Sequence, residues 1–457
     1  MEHYRNSTFS RKKQKNAGYY LRNTLRIIMG LLFIFSGYVK MVDPYGFALK
    51  IGDIFLSFGM DFMAPTAMVF AFLGIIAEFV LGWALLLGIQ MQLAAWGLLL
   101  FMGFFTLLTC WLAYSLDVAA VVNRLFETNY QLFVVTDCGC FGDFIKLDNH
   151  QTFYKNVLFM LFTIVIFAQR KKYKQHSWYY ITQWGPILLV SGFSLFTMFY
   201  CLRHEPWHDF RPWKVGNFIA GETYSQAPVV DYVFKYKNND DQSIKNITLD
   251  EMTTIALDSV LSDELENNYT YLDRSEVIVV PGINARLSDF TITDIETRED
   301  IKNQVITSPD YTFIVFARDV TTLSEKGFIA INTLINECKE QEMNCVVITA
   351  SLKEEVDTFN IKYGSDIYFY YSDATPLKTA IRNNPGVILI KEGYVIDKWS
   401  FRDIPALADI VSKFPKYETN LEKYRKKKPP LLPNGKTLEE YFAKEEITEE
   451  TETASTD

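Results

Sequence analysis

Residues 64–89 read "APTAMVFAFLGIIAEFVLGWALLLGI", and one ionisable side chain, Glu78, interrupts the run. About 20 apolar residues in a helix cross roughly 30 Å of hydrocarbon, and this stretch is longer than that. Four further runs of the same kind lie near residues 22–42, 91–115, 152–169 and 183–202. A buried helix of a soluble protein can mimic one such run. Five of them in the first 202 residues predict a membrane-embedded helical bundle.

Lys and Arg in the short connections set the expected orientation. Arg11, Lys12, Lys13, Lys15, Arg22 and Arg26 cluster at the start of the first span, and Arg170, Lys171, Lys172 and Lys174 separate the fourth from the fifth. An odd number of spans divides both segments from the 43–63 connection, from the loop before span four, and from everything after about residue 203. The N-terminus is therefore expected in the cytoplasm and the C-terminal half in the periplasm of a bacterial inner membrane. No small-residue cleavage site follows the first span, so it is read as an uncleaved anchor. After it, Phe47, Ile51, Ile54, Phe55 and Phe58 recur at helical spacing. That pattern predicts an amphipathic helix covering the outer face of the bundle.

The 457 residues carry a formal charge of -9, contributed mainly by the second half. A nucleic-acid partner calls for a basic surface, so none is expected. Residues 216–300 contain the short strand-like runs "VVDYVFKY", "SIKNITL", "SEVIVVPG" and "LSDFTITD". From 305 to 412 the pattern alternates: strand "YTFIVFAR", helix "SEKGFIAINTLINECKEQ", strand "NCVVITA", helix "KEEVDTFNIKYG", strand "DIYFYYSD", helix "TPLKTAIRN". A hairpin turning at "KEG" within "PGVILIKEGYVIDKW" closes the series, which predicts an α/β layer with a mixed sheet.

Six cysteines are too few for a disulfide scaffold. Two of them, Cys138 and Cys140, stand one glycine apart in "TDCGCFGD", residues 136–143, in a loop expected on the oxidising side. A disulfide between such close neighbours closes a small, demanding ring. Strained, exposed disulfides are the labile ones, so the pair suits exchange better than stapling. Bridges to other cysteines remain open as an alternative, as does a metal site drawing on Asp137, Asp143 and His150. Cys110 is expected about five residues, ~8 Å, below the outer end of span three. Cys201 is expected at the outer end of span five, so either is a candidate relay. Glu78 sits near mid-span, where a carboxyl is costly and marks a functional site by default. A proton relay or a hydrogen bond to a bound quinone would suit it. The alternative is a protonated Glu bonded to a neighbouring helix. Lys40 is read as snorkelling to the headgroups. "HEPWH", 204–208, has zinc-protease spacing, but Pro206 and the end of a span argue against a helix there, and no metal is expected. Cys338, on the apolar face of its helix, and Cys345, opening a strand, read as inert core cysteines.

"RIIMGLLFIFSGYVKMVDPYGFALKIGD" resembles the opening of DoxX-type and MauE-type membrane proteins through Arg26, Gly30, Ser36, Gly37, Lys40, Asp43 and Pro44. "DCGCFGDFIKL" with "TFYKNV" resembles the MauE-type loop through Cys138, Cys140, Phe141, Gly142, Lys155 and Asn156. "HEPWHDFRPWKVG" is similar to the segment joining such bundles to an extracytoplasmic domain in longer DoxX-family proteins. The resemblance covers about residues 20–217. It implies a four-helix bundle akin to quinone-linked redox subunits, working with a thioredoxin-like partner on disulfide-rich clients. The order over 305–412 resembles a thioredoxin-like domain, with Pro385 at the position of that fold's cis-proline. The slot for its Cys-x-x-Cys reads "ARDVTTLSEK" instead.

The expected fold is a membrane α-helical bundle, four DoxX/MauE-like helices plus a fifth span, followed by an extracytoplasmic α/β thioredoxin-like domain. Its expected segments are a cytoplasmic basic N-terminus (1–20), the five-span domain (21–203), a β-rich linker piece (204–304), the thioredoxin-like domain (305–415) and a disordered tail (416–457). The expected function is thiol–disulfide or quinone-linked redox chemistry in the maturation of envelope proteins. Cys138 and Cys140 are the exchange pair, Cys110 or Cys201 the relay, and Glu78 the residue at a quinone. The expected partners are the lipid bilayer and a periplasmic client protein. The competing reading is a non-enzymatic scaffold whose periplasmic domain binds an envelope partner.

Overall fold

The computed structural model describes residues 17–126, 135, 138–142, 144–145, 147–173, 180–224, 228–280, 282 and 285–427. Arg11, Lys12, Lys13, Lys15, Lys174, Asp137, Asp143 and the tail beyond 427 lie outside the described residues. Contacts divide the chain into two units. One holds Met1–Lys214 with Thr379–Gly386 and Lys398–Ile404, and the other holds the remainder.

The first unit is built from α1 (Ala17–Val42), α2 (Pro44–Ser57), α3 (Ala67–Leu87), α4 (Met91–Phe126), α5 (Asn149–Ala168) and α6 (Tyr180–Arg203). All but α2 are long and apolar enough to cross a membrane, which makes this a multi-pass membrane region. Leu100, Leu107, Leu188 and Leu189 are exposed along them, as side chains facing lipid should be. The helix α4 continues past the end expected at 115. Its extension, "LDVAAVVNRLF", contains neither Gly nor Pro to stop it.

At α2, Pro44 occupies the first turn and the Asp43 carboxylate accepts from the Gly46 amide at 3.0 Å, an N-cap. Phe47, Ala48 and Phe55 are buried beneath the helix, as the apolar spacing predicts. Phe58 falls just beyond its end and stacks on Trp111, with ring centroids 5.7 Å apart.

Helices α1 and α3 meet backbone to backbone. A Cβ on Gly82 would lie 2.7 Å from the Ile34 nitrogen, and one on Gly37 would lie 3.0 Å from the Phe79 Cβ. Small residues permit this approach, and larger ones would wedge the helices apart. Two apolar clusters flank the contact. Leu25, Met29, Phe33, Leu85, Leu98 and Ile166 form one, and Met41, Phe47, Ala71, Ile75 and Phe79 belong to the other.

The second unit opens with α7 (Ile219–Thr223) and a three-stranded antiparallel sheet in the order β2-β1-β3. Its strands are β1 (Val229–Asn238), β2 (Ile244–Thr248) and β3 (Tyr269–Val280). The expected run "SEVIVVPG" is only the second half of β3, and of "LSDFTITD" only β4 (Thr293–Asp294) is strand. Between β2 and β3 lie two helices the strand reading passed over, α8 (Leu249–Leu257) and α9 (Ser259–Asn268). Thr248 and Glu251 form a capping box on the first, and the Asp258 side chain caps the second.

A six-stranded sheet follows in the order β4-β7-β6-β5-β8-β9. Its remaining strands are β5 (Thr312–Phe316), β6 (Asn344–Thr349), β7 (Phe369–Tyr371), β8 (Gly386–Lys391) and β9 (Tyr394–Ser400). α10 (Lys302–Ile306), α11 (Glu325–Glu340), α12 (Lys353–Tyr363), α13 (Ala374–Ala380), α14 (Leu407–Ser412) and α15 (Phe414–Lys427) complete the order. β5, β6 and β7 pair in parallel, as their intervening helices require. The hairpin turns where predicted, with Glu392 and Gly393 both at positive φ. The Asn384–Pro385 bond is cis. α15 occupies the start of the stretch assigned to a disordered tail, and it buries Tyr417 and Leu421.

Candidate functional site

Within the bundle, α1, α3, α4, α5 and the Cys-Gly-Cys loop line a narrow, partly open cavity. Phe33, Phe101, Phe105, Phe141 and Phe159 give it aromatic walls. Its polar wall is made by Ser36, Lys40, Glu78, Lys155, Asn156 and Cys140. Glu78 is therefore where a buried carboxyl would be expected to matter, but it is not solitary. Lys40 pairs with it at 2.7 Å, and both side chains are less than a tenth exposed. This corrects the snorkelling reading of Lys40. The close α1–α3 approach puts its ammonium beside the carboxylate, and a buried cation is tolerated only when so compensated.

The pair is tied to the loop. Lys40 also donates to the Ser36 hydroxyl at 3.0 Å, and that hydroxyl donates to the Cys140 carbonyl at 2.7 Å. Gly139 and Gly142 both hold positive φ, which lets the chain double back under α1. The Cys138 and Cys140 sulfurs stand 3.4 Å apart. Cys138 is sealed among Leu108, Leu112 and Val135, whereas Cys140 lines the cavity.

Their environments push the two thiols in opposite directions. The hydrogen bond between them favours the Cys140 thiolate, burial opposes it, and the Lys155 and Lys40 charges then help bring its pKa down to about 6. The same hydrogen bond and burial drive Cys138 well above the ordinary thiol range. Both shifts favour Cys140 over Cys138 as the sulfur that gives up its proton. A low-pKa thiolate beside a protonated neighbour is the arrangement of an attacking and a resolving thiol.

No hydrogen bond joins the other proposed relay cysteines to the pair among the described residues. Cys110 follows Leu108 by two residues, roughly 200° around α4, and is absent from the cluster that seals Cys138. Cys201 is buried near the end of α6, within the field of Asp43, Arg211, Glu205 and Asp209. Lys155 and Asn156 belong to the site although the resemblance carried them without a role. Lys155 holds its ammonium 4.6 Å from the Phe141 ring centre, and Asn156 donates to Thr109 at 3.1 Å. Two polar residues in sequence inside an apolar span were the signal.

The residues of "HEPWH" go to separate tasks. His204 meets Asp403 at 2.7 Å, and His208 meets Tyr38 at 2.5 Å. Glu205 joins Asp209, Arg211 and Lys398 in a buried ion cluster. In the same unit, Arg382 grips both oxygens of Asp43 at 2.9 and 2.6 Å.

Bundle and cavity together define a multi-pass membrane protein with a thiol pair set against an aromatic chamber. Residues 22–111 match the model of the DoxX family, so the chain carries a DoxX family domain there. That match takes in Ser36, Lys40, Glu78 and the α4 phenylalanines but stops short of Cys138 and Cys140. No curated protein and no solved structure matches the chain.

Proposed function

We propose that the chain is a membrane thiol–disulfide oxidoreductase that passes electrons between an envelope protein and a quinone held in the bundle cavity. The observation that carries this reading is the Cys140 sulfur at the wall of an aromatic chamber, 3.4 Å from Cys138, with the Lys155 and Lys40 charges favouring its thiolate. A redox-inert clamp has no need of two thiols poised so differently. A quinone ring entering there would meet phenylalanine faces, and Lys155 carries a donor for one of its carbonyl oxygens. Such a group supplies a two-electron, two-proton acceptor.

The chain's own part follows from the geometry. Cys140 is the sulfur that meets a partner, and Cys138 is the protonated sulfur that closes the intramolecular disulfide. Lys155 and Lys40 stabilise the thiolate. Oxidising a Cys140 thiolate with a Cys138 thiol releases two electrons and one proton, so the second proton for a quinone there would come from solvent at the cavity mouth, and Glu78, paired to Lys40, lines the wall beside it. The charge bias of the connections supports a periplasmic position for this loop and for the C-terminal α/β domain, whose order of elements is that of a thioredoxin-like fold. Lacking Cys-x-x-Cys, that domain is read as the one that holds the client.

Thiol trapping in cells tests the reading. Cys138 and Cys140 should be found as a mixture of dithiol and disulfide that shifts toward dithiol when quinone is depleted. A pair that stays oxidised under depletion, with Ser variants that lose only stability, would sink the proposal in favour of a scaffold.

A further inference from the structure

At the end of α1 remote from the thiol loop, two cations meet no carboxylate among the described residues. Arg22 is 8% exposed, and its guanidinium makes no ion pair or hydrogen bond among the described residues. Its Nε is buried and unbonded, and so is that of Arg26. Arg26 spends one nitrogen on the Leu85 carbonyl at 2.9 Å and likewise meets no carboxylate among the described residues. One helical turn apart, the two arginines lie on the same face of α1. Tyr173 stands against the first and within the field of the second. Arg22 sits 4.9 Å from its ring centre, and the charge of each arginine reaches its hydroxyl.

The sequence offers these cations no acid nearby. Residues 1–26 contain one carboxylate, Glu2, and residues 169–183 contain none. Orientation by positive charge accounts for basic loops, which remain solvated. It does not account for a guanidinium drawn under aromatic rings with its Nε buried and unbonded. Burying such a group is costly unless an anion completes it.

We infer that Arg22 and Arg26 bind the phosphate of an anionic phospholipid at this membrane face. Guanidinium forks suit phosphate oxygens, and two of them together suit a single phosphate. A lipid source is favoured over a soluble one by the surroundings. Tyr20, Leu21 and Ile28 are exposed along the same helix, at the level where aromatic belts and acyl chains meet.

The test uses the full chain in uncharged detergent, with lipid retention read by native mass spectrometry. Phosphatidylglycerol should be retained and phosphatidylcholine should not. The R22Q/R26Q variant should weaken phosphatidylglycerol binding about tenfold or more, the scale of losing a charged hydrogen bond. K171Q/K172Q, which removes exposed cations of the same region, should change it less than about twofold. R22K/R26K keeps the charge and guards against misfolding as the cause; it should retain an intermediate affinity. Equal losses in the glutamine variant and the Lys171/Lys172 variant would overturn the site. Displacement of the lipid by millimolar inorganic phosphate would overturn the lipid assignment in favour of a soluble anion.

Discussion

Cys140 owes its acidity to neighbours that can be removed singly. Alkylation of the reduced protein should show Cys140 modified with a midpoint near pH 6, while Cys138 stays unreactive through neutral pH. Lys155→Met should move the Cys140 midpoint upward, on the order of one pH unit, because it deletes a charge that favours the thiolate. Peptide mass spectrometry across a pH series measures both, and an unmoved midpoint would exclude Lys155 from the role. Lys40→Met leaves Glu78 buried without its cation and should cost about 3–5 kcal/mol of stability. Lys40→Met with Glu78→Gln should recover much of that loss, as read from denaturation in detergent. Glu78 was legible from the sequence as a lone carboxyl in a span. Its partner was not, because a lysine near a span end has an easier alternative in the headgroups. Only the α1–α3 distance decides between them.

Elements depend on their caps. Asp43 both caps α2 and holds Arg382, and two substitutions separate these roles. Asp43→Asn keeps an acceptor for Gly46 and loses the charge, whereas Asp43→Ala loses both. The alanine variant should be less stable than the asparagine variant by about 1 kcal/mol, the usual worth of an N-cap. Thr248→Ala should cost a similar ~1 kcal/mol by opening the capping box of α8. That threonine and the Asp258 cap were readable signals for α8 and α9, but a search for alternation passed over them. The spans were fully legible because hydrocarbon thickness imposes a length that few other constraints imitate. The end of α4 was not, since a helix leaving the membrane ends at a breaker, and none follows for several residues.

Across the first unit, acid should undo one particular set of contacts. Burial opposes the charges of Asp209, Glu205 and Asp43, but their cationic partners outweigh it and hold all three below the usual carboxylate range. Arg211 and Lys398 serve the first two, and Arg382 serves Asp43. A depressed folded-state pKa contributes stability above the unfolded value of about 4, and that contribution fades as pH falls through the folded value. Melting temperature should therefore be insensitive to these groups between pH 6 and 8 and drop below about pH 4. Asp209→Asn should flatten that drop, at the cost of stability at neutral pH. Topology belongs to the same scale. Impermeant thiol reagents applied to intact cells should label a cysteine introduced at Ser288 and miss one introduced at Lys171. The reverse pattern would invert the orientation read from the loops. The succession of strands and helices from β5 to β9 was legible from alternation, whereas their spatial order was not. What a sequence could not disclose was which face of its helix Cys110 or Cys201 occupies, because depth in a membrane fixes height and leaves azimuth free.

The Lys40–Glu78 pair also bears on how the protein is made. Its two charges arrive on different spans, and the first must wait for the second to be synthesised. Each alone costs about 2.5–3.5 kcal/mol to release into lipid, whereas the matched pair, laid against Gly37 and Gly82, enters already neutralised. The first two spans thus have reason to leave the insertion machinery together, as a prepaired hairpin, with α2 folded down between them.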